Sequence, residues 1–210
     1  MAISTYDELK TAVASWLHRN DLTSQIPDFI TLAESRINRK LAILLQETEA
    51  TLTATVSSRA MAVPTRFASP LGLWLTTYQP RQELGYMLPT QLPVTTDNGQ
   101  SEYYTVNGTN IETENPADQA YTYTLRYFIN FAIATTSTNL LLTNYPDIYL
   151  YGALLETAPY LRDNNALPMW QNRFDLAVKE ATSESARTKS RAPLRTDLAI
   201  QRGGNILRGY

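Results

Sequence analysis

The spacing of apolar residues changes twice along this 210-residue chain, from helical to alternating and back to helical. Apolar residues three or four apart make one stripe on a helix, whereas strict alternation makes one face of a strand. A chain carrying both patterns in separate blocks cannot settle into an all-helical or an all-β fold. The spacing predicts an α+β protein: two helical hairpins forming a helical bundle, a β-rich antiparallel insertion between them, and an extended C-terminal arm. The boundaries follow the changes of period, with 1–46 and 140–185 in the bundle, 47–139 in the insertion and 186–210 in the arm.

Thr5 followed by Glu8 is a capping-box pairing with Ile3 nearby as a staple residue, and Leu9, Ala12, Val13, Trp16 and Leu17 continue as an amphipathic stripe. Asn20-Asp21 breaks this helix. A second begins near Thr23 or Ser24, with Pro27 in the first turn, where a missing N–H is tolerated. Its buried stripe is Ile26, Ile30, Ala33, Ile37, Leu41 and Leu44, and the short connection predicts an antiparallel pair. Farther on, Leu52, Ala54 and Val56 share one strand face, and Thr51, Thr53 and Thr55 share the other. Ala60–Val63 and Leu71–Tyr78 are strand-like, while residues 79–100, with three prolines and two glycines, read as a surface excursion. Asn107-Gly108 suggests a hairpin between Tyr103–Val106 and Thr109–Glu112, and Tyr121–Phe131 is the clearest later strand. Pro146 starts a third helix carrying Ile148, Tyr151, Leu155 and Ala158, which Pro159 should kink or end. Asn164-Asn165 turns the chain, and Pro168 opens a last helix with Trp170, Phe174, Ala177, Val178 and Ala181.

Little in the chain points to bond chemistry. It has no cysteine, which excludes disulfides and thiolate metal sites, and the single histidine, His18, falls on the polar side of the first helix. Asp97-Asn98-Gly99 is a fragment of a calcium loop at most and reads as a turn. Glu47 and Glu49 share a strand face, but a glycosidase pair needs one acid desolvated and usually draws on two elements. No nucleophile elbow, phosphate-binding glycine loop or dinucleotide fingerprint occurs. The expectation is a non-enzyme with no metal and no cofactor. The N-terminus lacks a secretory h-region and no apolar run approaches the roughly 20 residues that span a bilayer, so a soluble, unexported protein with no membrane partner is expected. The thirteen tyrosines fit either sheet packing or subunit contact.

The last 25 residues stand apart. They carry six Lys/Arg against Asp197 alone, three glycines and Pro193, with too little apolar surface on one face to offset an ordering cost of roughly 1–2 kcal/mol per residue. Of 18 basic and 20 acidic residues in all, 12 and 19 remain in the body, which is therefore −7 while the arm is +5. Yet Leu194, Leu198, Ile200, Ile206, Leu207 and Tyr210 recur among the basic residues. Such a segment becomes ordered on another surface: a neighbouring subunit, a partner protein or nucleic acid. The acidic body argues against general DNA binding, which needs a basic face to release counterions.

Two blocks carry a resemblance. TYDELKTAVASWLHRNDLTSQIPDFITLAESRINRKL, Thr5 to Leu41, and LLLTNYPDIYLYGALLETAPYLRDNNALPMWQNRF, Leu140 to Phe174, resemble the two helical pairs of tailed-bacteriophage head-to-tail adaptor (connector ring) proteins, in the same order. The resemblance implies a structural virion protein at the portal vertex, present in the host cytoplasm during assembly. It also implies a homo-oligomeric ring, usually of twelve copies, between the portal protein and the tail or nozzle proteins, with genomic DNA passing through the lumen without sequence-specific binding. C-terminal extensions of such adaptors commonly grip the portal. The expected portal-binding residues are therefore Arg187, Arg191, Arg195, Arg202 and Arg208 for portal acids. Leu194, Leu198, Ile200, Ile206 and Tyr210 are expected in apolar grooves. Two alternatives are a nucleic-acid-binding regulator reading with the first helical pair, and a carboxylate-based hydrolase using Glu47 or Glu49.

Overall fold

In the computed structural model, described over residues 3–41, 44–163 and 165–190, helices and strands segregate as the change of period requires. The first helices, α1 (Tyr6–Leu17) and α2 (Ile26–Lys40), and a 3-10 turn (Leu44–Gln46) lead into seven strands. These are β1 (Glu47–Thr53), β2 (Ala60–Ala62), β3 (Phe67–Leu75), β4 (Gln82–Tyr86), β5 (Tyr103–Asn107), β6 (Asn110–Thr113) and β7 (Thr122–Ile129). The chain then returns to helix in α3 (Ile133–Thr136), α4 (Leu140–Asn144), α5 (Pro146–Leu161) and α6 (Leu167–Ser190). The fold is α+β.

The capping box forms. Glu8 N–H donates to Thr5 Oγ1 at 3.3 Å and Thr5 N–H donates to the Glu8 carboxylate at 3.1 Å, pairing amides that a helix start leaves open. Exposed His18, in the left-handed region at φ 52, ends α1. The α2 stripe Ile26, Ile30, Ala33, Ile37 and Leu41 is buried as expected, although the helix begins at Ile26 because residues 22–25 form a turn first. The Leu44 side chain lies outside the described residues. α5 is the centre of the bundle and packs against α2, α6 and α1, whereas α1 and α2 meet each other more sparsely than either meets α5. The first two helices are thus held by a shared neighbour more than by their own pairing. Pro159 lies inside α5, which ends two residues later at Leu161 with Arg162 left-handed at φ 56.

The strands form one sheet in the order β1-β7-β3-β4-β5-β6-β2, antiparallel except for β4 with β5. β4 lies within the stretch read as a surface excursion; its five residues, short and followed by a long connection, gave no clear alternation. The sheet must curl. Its two edge strands, β1 and β2, are joined by residues 54–59 alone, whose reach of about 24 Å falls short of the roughly 29 Å across seven flat strands. Val56, expected on the buried face, is half exposed because the β1–β7 ladder stops at Thr53↔Thr122 and Val56 instead bridges Ala117. The β5–β6 hairpin turns one residue later than expected, through Gly108-Thr109, where Gly108 takes φ 59.

Tyrosines fill much of the sheet core: Tyr104, Tyr121, Tyr123 and Tyr127 are buried beside Leu73, Leu75, Ile111 and Leu125. Burial disfavours the phenolate, first and foremost, and pushes Tyr104 and Tyr123 up to about 12. The unfolded chain then releases these protons near pH 10 while the folded chain retains them to about 12, so stability is full below pH 10 and falls between those values. Thermal melts stepped from pH 9 to 11.5 should show this loss, on the order of 2 kcal/mol per tyrosine. The double variant Tyr104→Phe/Tyr123→Phe should flatten it; an unchanged slope would reject the assignment.

The helical and sheet cores meet at the exit of β7. Asn38 clamps Phe131 at both backbone groups, accepting from its N–H at 2.8 Å and donating to its carbonyl at 3.0 Å. Gln46 Nε2 donates to the Ile129 carbonyl at 3.3 Å. The bundle and the sheet are therefore fastened through hydrogen bonds to backbone atoms, whose positions do not depend on rotamer choice.

Candidate functional site

The stripe that buries α6 stops before the helix does. Phe174, Ala177 and Ala181 are buried, whereas none of residues 182–188 is. The helix nevertheless continues to Ser190, and so takes in the first five residues of the stretch read as an extended arm. A helix with no apolar face serves as a spacer or waits for a partner. Grooves run along both sides of this end. One is lined by Leu45, Tyr145, Ala181, Glu184, Ser185 and Thr188; the other by Leu176, Lys179, Glu180, Ser183, Glu184 and Arg187. Tyr145 spans the first, its hydroxyl donating to the Glu184 carboxylate at 2.6 Å. That hydrogen bond, with burial second, lifts Tyr145 to about 12.

Of the residues expected to bind a portal, Arg187 lies on α6 at the second groove, with partners of its own. Arg191, Leu194, Arg195, Leu198, Ile200, Arg202, Ile206, Arg208 and Tyr210 lie outside the described residues. The structure therefore places the base of the arm and the surfaces next to it.

The chemical candidates are not brought together. Glu49 is ion-paired to Arg126 across β1 and β7 at 2.7 Å, with both side chains about half exposed, and Glu47 has interactions of its own. Neither is isolated in an apolar pocket, the setting that makes a carboxyl a proton donor at neutral pH. Asp97-Asn98-Gly99 forms a bend whose Gly99 N–H donates to the Pro116 carbonyl at 2.8 Å. Among the described residues no group of three or more His, Asp or Glu is placed to hold a metal ion.

Two constellations escaped the sequence reading. Glu34, buried on α2, accepts from Ile133 N–H at 2.6 Å and from the Tyr149 hydroxyl at 2.7 Å. Asn139, which caps α4 through Leu142 N–H, donates to the same hydroxyl at 2.8 Å. Burial and the Glu34 carboxylate push Tyr149 far above its ordinary range, so it stays a neutral donor. The signal was a carboxylate at i+4 from Ile30, on a stripe otherwise apolar. The second is a surface cluster of Trp16, Tyr151 and Trp170 with ring centroids 6.0–6.2 Å apart, in which Trp16 is 49% exposed. Tryptophan and tyrosine are over-represented where partners dock.

The arrangement as a whole is one of packed cores, a polar joint, an exposed helix end and a surface aromatic cluster. No curated protein matches the chain. A family model, that of the SU10 adaptor protein, matches residues 4–197, which takes in both helical blocks, all seven strands and the first residues after α6. The chain therefore belongs to the SU10 adaptor protein family, the phage head-to-tail adaptors that its two helical blocks resemble.

Proposed function

We propose that this phage structural adaptor forms a ring of twelve copies between the portal and the tail, with its C-terminal arm seated on the portal and DNA passing through the lumen. The family match over residues 4–197 carries the reading. The arm's mixed basic and apolar composition, leaving from a helix that outruns its own core, supports portal docking. Ring geometry multiplies a modest affinity per arm, because each seated arm raises the effective concentration of the next. The acidic body suits a channel that must not hold DNA, since a basic lining would gain affinity by releasing counterions. The hydrolase alternative turns on Glu47 and Glu49, of which Glu49 is half exposed and ion-paired to Arg126, and the net charge of −7 outside the arm argues against a DNA-reading role.

Truncation tests it. Because α6 extends to Ser190, the cut belongs after that residue, leaving the described fold whole. Removing 191–210 should leave a folded body yet abolish co-sedimentation with portal rings, and particle images of the full chain on portal should show a twelve-fold collar. A truncated protein that still joins portal at full occupancy would sink the arm assignment, and a collar of different symmetry would sink the copy number.

A further inference from the structure

We infer that the groove beside Arg66 receives the outer face of α6 from a second copy of this chain, which sets its Glu180 against Arg66 and its Leu176 against Leu140. The inference rests on the ring proposed above and assigns the contact between its neighbouring copies. The groove lies where bundle and sheet join, holds about 210 Å³, and is lined in part by Leu45, Arg66, Ile129, Phe131 and Leu140. Leu140 is 59% exposed. Arg66 is exposed too, and among the described residues it has no ion-pair partner.

The backbone sets Arg66 apart. Phe67 N–H donates to the Pro64 carbonyl at 3.3 Å, closing a turn whose third residue, Arg66, is left-handed at φ 62. Three other residues with positive φ, His18, Ser137 and Arg162, end helices, where that conformation is common. In a turn, the position favours glycine or asparagine, and a longer side chain is strained. A strained arginine that pairs with no carboxylate of its own chain points to one outside it.

The outer side of α6 supplies the complement. Phe174, Ala177 and Ala181 form its buried side, leaving Leu176 54% exposed and Glu180 exposed one turn later. Glu180 has no ion-pair partner among the described residues, and the positions three and four away hold Leu176, Ala177, Ser183 and Glu184, none of them a cation. Asp28 and Leu32 repeat the spacing on α2, but Asp28 sits in the first turn, where the partial charge of the helix end balances it. An acid and an aliphatic side chain one turn apart thus match an arginine and an aliphatic side chain at the groove, in charge as well as in apolar surface. Within one chain Glu180 and Arg66 line different grooves. Two different surfaces make a head-to-tail contact, in which each copy offers its groove to one neighbour and its α6 to the other, and such contacts close into rings.

Charge reversal tests the pairing in the full-length protein, read as subunits bound per portal ring and by sedimentation velocity without portal. Arg66→Glu and Glu180→Arg should each weaken association between copies about tenfold. The double variant should return to within about threefold of the parent, whereas Arg66→Glu with Asp28→Arg should not. Arg66→Gly, which suits the turn, should keep the parent's thermal midpoint and still lose association, separating the contact from folding. Because the chain has no cysteine, Arg66→Cys/Glu180→Cys should oxidise to a ladder of covalent multimers, while each single cysteine variant stops at dimers. Full association of either single reversal, no recovery in the double variant, or no ladder would each overturn the contact. A collar on portal that forms despite those results would reject this contact alone, and recovery in the double variant with no collar would reject the ring alone.

Discussion

Glu34→Ala is expected to cost about 3–5 kcal/mol of folding free energy, while Glu34→Gln costs about 1. One carboxylate oxygen accepts from the Ile133 amide at 2.6 Å and the Tyr149 hydroxyl at 2.7 Å, in the seam where the chain passes from sheet to bundle. Alanine leaves both donors without that acceptor and opens a cavity beside them. Each stranded donor costs about 1–3 kcal/mol, and the cavity adds to that. Glutamine keeps a carbonyl oxygen in place and loses mainly the charge assistance. Urea denaturation of the three proteins gives the comparison, with a lowered midpoint and an unchanged slope as the expected pattern. An alanine variant within 1 kcal/mol of the parent, or a glutamine variant as weak as the alanine one, would remove Glu34 from this role.

What could be read from the residues followed from how local the cause was. The α1 boundary depends on Thr5 and Glu8, three residues apart, and it was legible. So was the α2 stripe, because burial of Ile30, Ala33 and Ile37 repeats at the helix's own period. The sheet order was not. That β2 pairs with β6 rather than β1, or that β4 runs parallel to β5, depends on contacts across tens of residues that leave no mark on short-range spacing. Val56 was misplaced for a related reason: its alternation continues, but the ladder it would join ends at Thr53.

The end of α6 and the aromatic cluster show the same division. Composition marked the arm from Ala186, but α6 continues through Arg187 to Ser190, since polar residues such as Glu184 and Lys189 favour helix once a turn is already formed. Propagation from a packed helix costs less than nucleation, and no windowed reading of hydrophobicity captures it. The aromatic cluster of Trp16, Tyr151 and Trp170 joins three helices and was legible only as three separate stripe positions.

Phe174→Ala should cost about 3–5 kcal/mol, and Gly152→Val about 3, yet the pair together should cost only about 4–5. Phe174 is fully buried on α6, and its ring lies over Gly152 of α5. A Cβ at Gly152 would sit 3.2 Å from Ala33 Cβ and 3.3 Å from Phe174 Cε2, so three helices converge on the missing side chain. Alanine there gains helix propensity of about 1 kcal/mol and gives most of it back in tight contacts. Valine adds two carbons, which must displace either the α2 backbone through Ala33 or the phenyl ring. Removing the ring empties the space into which valine can turn, so the second substitution partly fills the cavity left by the first. Thermal and urea unfolding of the four proteins closes the cycle, with an expected coupling of about 2 kcal/mol in favour of the double variant. Additivity within about 0.5 kcal/mol would mean that the clash is relieved elsewhere, and that α2, not α6, sets the limit on what position 152 can hold.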